Sequence, residues 1–255
     1  MGTKKAIVIG ASSGIGMEVA KLLLSDGWNL GVAARRTDRL MQLKEREPQR
    51  VEVETIDVNS DDASDLLLSL IAVVGGMDLF FYAPGIGKQN PTLETDIELA
   101  TVTTNALGFT RMVGTAYRYM ATHGGGHIAV ITSIAGTMGL GPAPSYSATK
   151  AFQNTYIEAL EQQANTRKLN IRFTDIRPGF VATALLSESD QYPMLLNKED
   201  VAYEIVEAVK RNRHVRVIDW RWRIVTALWR CIPRCLWRHL PLQVKKKGNP
   251  TKPSK

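Results

Sequence analysis

The sequence predicts an α/β fold: a doubly wound parallel sheet of seven strands with helices on both faces, followed by a C-terminal helical extension. Three observations carry that expectation. Short continuous apolar runs alternate with stretches of helical periodicity along most of the chain. Runs that are apolar throughout belong to strands covered on both faces, as in a parallel sheet. A glycine turn, "GASSGIG" at 10–16, joins the first run to the first periodic stretch. With 255 residues, the chain is long enough for one large domain with an adequate core.

The elements follow in order. "AIVIG" (6–10) is a short buried strand, and a helix runs from about Ile15 to Ser25. "LGVAA" (30–34) is the second strand, with a helix through "LMQLKER" after it. "VEVETI" (51–56) is the third, followed by a helix through "DLLLSLIAVV". "DLFFYA" (78–83) is the fourth, and a long helical stretch covers about Asp96 to Met120. "HIAVITS" (127–133) is the fifth, ahead of a strong helix at 147–164. "NIRFTDI" (170–176) is the sixth, followed by a helix over 198–211, and "HVRVI" (214–218) is the seventh. No internal repeat or low-complexity linker interrupts this series.

Charge is divided unevenly. From Arg211 to Lys255 there are 13 Lys/Arg against one acidic residue, Asp219. The preceding 210 residues hold 19 Lys/Arg against 24 Asp/Glu, so the net +7 comes entirely from the C-terminal segment. A localised basic segment points to an anionic partner surface. The two cysteines, Cys231 and Cys235, are four residues apart on one predicted helix face, which argues against a disulfide between them. Four scattered histidines form no metal-ligand pattern, and His123 and His127 around "GGG" read as a solvated turn. Lys4-Lys5 pass straight into the first strand without a secretory h-region, which predicts a cytoplasmic domain.

The glycine turn places Gly10, Gly14 and Gly16 where backbone can approach a pyrophosphate, at a helix N-terminus that offers free N–H groups. The spacing is GxxxGxG, and a role in strand–helix packing alone is the other reading. The second strand ends in "AARR". An acidic residue there would bond a ribose 2′-OH, whereas arginine accommodates a 2′-phosphate. Arg35 and Arg36 therefore predict NADP(H). In "SYSATKAF", Tyr146 and Lys150 share one helix face. An ammonium near a phenol favours phenolate, making Tyr146 a usable acid or base nearer neutral pH. Ser133 lies at the end of the fifth strand, where open α/β sheets place their ligand sites.

Together these motifs resemble the short-chain dehydrogenase/reductase family over roughly residues 4–218. The matching stretches are "GASSGIG", Asp57 in "TIDV", Asn105 in "TTNALG", Ser133 in "ITS", "YSATK", and "RPG" at 177–179 followed by Thr183. The resemblance implies a Rossmann-type fold and hydride transfer between NADP(H) and a carbonyl or carbinol carbon. It implies that Asp57 and Val58 hold the adenine and that Ser133 bonds the substrate oxygen. Tyr146 would pass the proton, and Lys150 would bond the nicotinamide ribose. Asn105 would hold a water linking Lys150 to solvent. Pro178, Gly179, Val181 and Thr183 would border the nicotinamide. Ser12, Ser13 and Ile15 in the turn, with Ala83, Pro84 and Gly85 after the fourth strand, complete the implied cofactor set. Two departures stand out. Ile9 replaces the family's threonine before the turn, and "YAPG" (82–85) replaces "NNAG". Tyr82 and Pro84 are expected to reshape the pocket near the cofactor ribose.

Beyond "RPGFVAT", the segment 184–197 is expected to form a mobile lid. Its Leu185, Leu186, Met194, Leu195 and Leu196 would either wall an apolar pocket or pack onto the core. Family members of ordinary length end near 218. Here a basic Trp/Arg-rich extension (219–244) and a disordered tail (245–255) follow. In the extension Trp222, Val225, Leu228, Trp229, Ile232, Leu236 and Leu240 recur at three- or four-residue spacing, and Pro233 breaks it into two short helices. No apolar run is long enough to span a bilayer.

Three readings of the extension stay open. Tryptophan beside arginine fits a helix lying in an anionic membrane interface through 219–247, on the inner face of the cell membrane. Packing on the body or in a subunit interface is the second. Nucleic-acid binding is disfavoured, because no recognised binding fold accompanies the basic segment. The "IPR…LP" ending is similar to that of the keto-reductases of decaprenylphosphoryl-ribose epimerisation, which implies a lipid-linked or bulky apolar substrate. The expected activity is thus ketone reduction on a lipid-like substrate, by a homodimer or homotetramer. A cytosolic reductase of small carbonyl compounds and a non-catalytic NADP-binding scaffold are the alternatives.

Overall fold

A computed structural model describes residues 3–186 and 192–242. Seven parallel strands form one sheet in the order β3-β2-β1-β4-β5-β6-β7. They are β1 (Lys5–Ile9), β2 (Asn29–Ala34), β3 (Val51–Thr55), β4 (Leu79–Tyr82), β5 (Gly126–Ile131), β6 (Ile171–Arg177) and β7 (Val215–Val217). From β1 the chain winds outward through β2 and β3, then returns to place β4 on the other side of β1. That reversal opens a crevice at the carboxyl ends of β1 and β4, where ligands bind in such sheets.

Strand side chains alternate between two cores. Ala6 and Val8 of β1 face one core, together with Phe81, Val19, Leu23, Val201 and Ile205. The last four residues belong to α1 (Gly14–Ser25) and α7 (Lys198–Lys210). Ile7 and Ile9 face the other core, with Phe80, Tyr82, Leu67, Phe109 and Ile157. These side chains come from α3 (Ala63–Val74), α5 (Phe109–Thr122) and α6 (Pro144–Thr166) as well as from β4. The helix α2 (Asp38–Arg46) covers the first face through Leu40 and Leu43. Each predicted strand and helix of the body is present, with boundaries shifted by a few residues.

The predicted helix 96–120 is not continuous. It comprises α4 (Thr95–Val102), a π-helical turn (Thr103–Gly108) and α5. π-turns insert one residue into a helix and recur at functional sites. This one turns Asn105 inward, where it is fully buried. The "GGG" turn differs in part from the solvated reading. His123 is exposed, but His127 is the second residue of β5, buried and bonded to Thr174 Oγ1 at 2.8 Å. Burial lowers its pKa to about 4, so its ring is neutral at pH 7.

The extension forms α8 (Trp220–Cys231) and α9 (Arg234–Trp237), with Pro233 at the break. The Asp219 carboxylate caps α8 by accepting from the Arg221 N–H at 2.8 Å. The apolar positions do not form a single face. Trp222 is buried, whereas Leu228, Leu236 and Leu240 are exposed on the opposite side. Trp222 meets Phe180 edge-on at 5.7 Å, and Trp229 meets both Trp222 (6.4 Å) and Trp237 (5.4 Å). Trp237 Nε1 donates to the Gly139 carbonyl at 2.7 Å. The extension therefore folds back onto the body. Cys231 and Cys235 are both free and exposed. No helix among the described residues is long and apolar enough to cross a membrane. The lysine run 245–247 and the tail expected to be disordered lie outside the described residues.

Candidate active site

The crevice is a single cleft of about 1290 Å³ running across the strand ends from Arg36 to Trp229. One end of it is made by the glycine turn. Gly10 (φ +81°) and Gly14 (φ +57°) sit in the left-handed region that side chains disfavour. A Cβ on Gly16 would fall inside the Gly10 carbonyl group, so no larger residue lets α1 start this close to β1. Ser13 caps α1 without spending its side chain on the backbone, and no acidic residue occupies the first turn. The N-terminal N–H groups and the positive helix end thus face the cleft, a cradle that fits a pyrophosphate.

Every sequence-predicted cofactor residue lines this cleft. Ser12, Ser13 and Ile15 flank the turn; Arg35 and Arg36 follow β2; Asp57 and Val58 follow β3; Ala83, Pro84 and Gly85 follow β4. Tyr146, Lys150, Pro178, Gly179, Val181 and Thr183 complete the far side. Both arginines are exposed, and neither is ion-paired among the described residues. The cleft thus combines N–H donors at a helix start, two exposed arginines after β2 and apolar lining residues.

Tyr82 does not reshape the pocket as expected. It is fully buried in the core on the α3–α5–α6 face, edge-on to Phe109 at 5.5 Å, because strand alternation turns it away from the crevice. Pro84, in contrast, lies in the cleft beside Gly10.

Proline at the first position starts α6, so Tyr146 falls in its first turn and Lys150 one turn later on the same face. Tyr146 is hydrogen-bonded to Ser133, which stands two residues beyond β5 and also accepts from Ala135 N–H at 3.0 Å. Lys150 Nζ lies 5.8 Å from the centre of the Tyr146 ring. It donates to the Ile131 carbonyl at 3.1 Å and to Gln153 Oε1 at 2.9 Å.

Asn105 stands behind the cleft and not in its wall. Its side chain clamps the loop after β4, accepting from Ile86 N–H at 2.9 Å and donating to the Ile86 carbonyl at 2.7 Å. Its backbone carbonyl accepts from Gln153 Nε2 at 2.8 Å. Gln153 therefore connects Lys150 to Asn105 directly. The π-turn frees that carbonyl from ordinary helical pairing.

The electrostatics differ from the sequence expectation. The Tyr146 pKa is raised, because burial disfavours phenolate more than the Ser133 hydrogen bond favours it. Burial also lowers Lys150 to about 7, against the opposing pull of the Asp175 carboxylate. Burial thus works against the ammonium charge that the sequence expectation placed beside Tyr146. Asp175 is itself buried in β6. It takes hydrogen bonds from Thr132 Oγ1 and from Arg177 Nε at 2.7 Å, and pairs with the Arg177 guanidinium. Asn154, turned so that its nitrogen faces these acceptors, reaches Thr132 Oγ1 at 2.9 Å, and Asp175 Oδ2 and the Lys150 carbonyl at 3.3 Å.

Four features escaped sequence reading. Gln153 could have been found as the residue three after Lys150 on the same helix face. Gly87 touches the Tyr146 ring so closely that any Cβ would displace it. Nothing in "GIGKQN" marks that contact. The Asp175–Arg177 pair sits at alternate positions of β6, a spacing that marks one shared face. The fourth is the aromatic wall. Phe180, Trp222 and Trp229 line the cleft together with Leu185, Leu186 and Leu242. Of the five apolar lid residues expected, Leu185 and Leu186 line the cleft. Leu196 instead packs on the core and bridges to Val181, and Leu195 is exposed. Residues 187–191 of the expected mobile lid lie outside the described residues.

Comparison with known proteins agrees with this geometry. An uncharacterised oxidoreductase of Mycobacterium tuberculosis is 28% identical over 242 residues, covering 91% of this chain and 95% of that one. One from Myxococcus xanthus is 29% identical over 244 residues, covering 93% and 96%. Among solved structures, a short chain dehydrogenase/reductase from Burkholderia phymatum in complex with NAD superposes with a TM-score of 0.81 at 20% identity, over 94% of this chain and 97% of that one. An alcohol dehydrogenase from Thermococcus sibiricus, complexed with 5-hydroxy-NADP, gives 0.73 at 22% identity, over 85% and 95%. The profile of the family described as short chain dehydrogenase matches residues 4–193. With the glycine turn, the Ser133–Tyr146–Lys150 grouping and the parallel sheet that assembles them, that match identifies the chain as a member of the short chain dehydrogenase family of oxidoreductases.

Proposed function

We propose that the protein is an NADP(H)-dependent reductase of a ketone carried on a bulky, apolar, lipid-like molecule. The observation that carries this reading is one shared cleft. Ser133, Tyr146 and Lys150 line it together with an apolar group, Phe180, Leu185, Leu186, Trp222 and Trp229. NADPH, when bound, supplies hydride to the carbonyl carbon. The Ser133 hydroxyl and the Tyr146 phenol polarise the carbonyl oxygen, and Tyr146 delivers the proton to it. Its raised pKa keeps that proton on the phenol until charge develops on the oxygen. Lys150 holds the ribose side, fixed by the Ile131 carbonyl and Gln153. The apolar wall excludes water and favours a large hydrophobic substrate over a small carbonyl compound. NADPH oxidation against keto-sugars, keto-lipids and steroids tests the reading. Turnover confined to small polar carbonyls would replace it with the small-carbonyl reductase, and no turnover with any ketone would leave a cofactor-binding scaffold.

Arg35 and Arg36 support the choice of NADP(H). A charge-assisted contact to a 2′-phosphate contributes about 1.5–3 kcal/mol, or roughly tenfold to a hundredfold in affinity. Titration is expected to give NADPH that advantage over NADH, and Arg36→Ala with Arg35→Ala should remove it. Equal affinities in the unmodified protein would defeat the assignment.

A further inference from the structure

We propose that the outer surface of α8 and α9 is a docking face for an anionic lipid bilayer, set on the back of the pocket wall. The proposal deepens the reductase reading and rests on it for the role of the pocket; the docking itself does not depend on it. α8 is apolar on two opposite sides. Trp222 and Trp229, seven residues apart, point inward to the cleft. Trp220, Ile224 and Leu228, at successive four-residue steps, point outward and are 67%, 52% and 61% exposed. Leu236 in α9 and Leu240 just after it are exposed as well, at 59% and 43%.

A soluble helix gains nothing from an apolar stripe in water, and contiguous exposed apolar surface marks an interaction site. The surroundings of the stripe identify the partner. Arg223, Arg230, Arg234 and Arg238 are all exposed and flank it. None of them forms an ion pair among the described residues, and the nearby carboxylate of Asp219 is already paired with Arg221. A second copy docked through this face would bring the same arginines together, because a two-fold contact uses one patch twice. An anionic bilayer neutralises them and takes up the tryptophan and the aliphatic side chains in its interface. Since the inner side of the same helix walls the cleft, docking would hold the substrate compartment against the membrane. A lipid-like ketone could then enter without crossing water.

The test is co-sedimentation of the full chain with phosphatidylglycerol–phosphatidylcholine vesicles, beside size-exclusion chromatography and NADPH titration. The protein should pellet at low salt and be released at high salt, because exposed charges are screened within about 10 Å at 0.1 M. Trp220→Glu with Leu228→Glu should lower partitioning at least about tenfold. Arg230→Gln with Arg234→Gln should lower it about twenty-five-fold, about fivefold for each arginine. Both variants touch only exposed positions, so NADPH affinity should be unchanged. Full-length protein that ignores anionic vesicles at low salt overturns the proposal. So does a Trp220/Leu228 variant that pellets like the unmodified protein, or one that changes the molecular mass while vesicles have no effect. Ketone turnover measured without vesicles tests the reductase reading separately, so docking can stand where that reading fails, and the reverse.

Discussion

Tyr146→Phe is expected to lower reductase turnover by about a hundred- to ten-thousandfold, the range typical for loss of a positioned proton donor. NADPH affinity should be nearly unchanged. The phenyl ring still fills the space against Gly87 and leaves Ser133 and Lys150 in place, so only the transferable proton is lost. Steady-state kinetics with a cofactor titration separates the two effects. Lys150→Ala should damage both, because its ammonium bonds Gln153 and the Ile131 carbonyl and faces the cleft. Substantial turnover by the phenylalanine variant would show that another group delivers the proton.

Asp175→Asn is expected to destabilise the fold by about 3–5 kcal/mol, the usual cost of removing one partner from a buried ion pair. Asp175 is 2% exposed and Arg177 9%, so the arginine left behind has little access to water. For a chain of this size the loss corresponds to a fall of roughly 6–20 °C in Tm, read by calorimetry. Replacing Arg177 with methionine in the same chain should recover much of it, because no unpaired charge then remains.

A kinetic readout accompanies the stability effect. The Asp175 charge raises the Lys150 pKa against the effect of burial, so Asn at 175 should lower it further. Lys150 then loses its proton at a lower pH as pH rises, and the alkaline fall of the reductive rate should move to lower pH. A variant as stable as the unmodified protein, with the same pH profile, would remove Asp175 from both roles.

How far the sequence could be read depended on the range of the interactions involved. The strands were legible because a parallel sheet buries both faces, which leaves unbroken apolar runs such as "AIVIG" and "LFFY". The cofactor turn was legible because its chemistry needs glycine at fixed intervals, and Tyr146 and Lys150 because a helix brings spacing of four onto one face. The π-turn was not legible. "TTNALG" satisfies ordinary helical periodicity, and only the tertiary demand to bury Asn105 against Ile86 distorts it. Tyr82 was misplaced because its neighbours in sequence touch the cleft while alternation turns its own side chain away. The extension was read as one apolar stripe because periodicity reports spacing alone. Which tryptophans face inward depends on Phe180 and Gly139, far away in sequence. Raising of the Tyr146 pKa, where lowering was expected, has the same origin. Adjacency to Lys150 was visible, but the burial of Tyr146 itself, which disfavours phenolate, was not.

The aromatic wall divides the labour of the chain along its length. The residues proposed to hold the dinucleotide and move the proton lie mostly between Gly10 and Lys150, whereas Phe180, Trp222 and Trp229 come from the stretch after β6. The later stretch also packs on the first half, through α7 against α1 and through Trp237 against Gly139. Exchange of the aromatic positions 180, 222 and 229 between relatives would change what is recognised while leaving the residues of 10–150 in place, so the scaffold can diversify at its later stretch. Inheritance of the catalytic half would then predict the reaction type of a descendant, and inheritance of the later stretch would predict its diet.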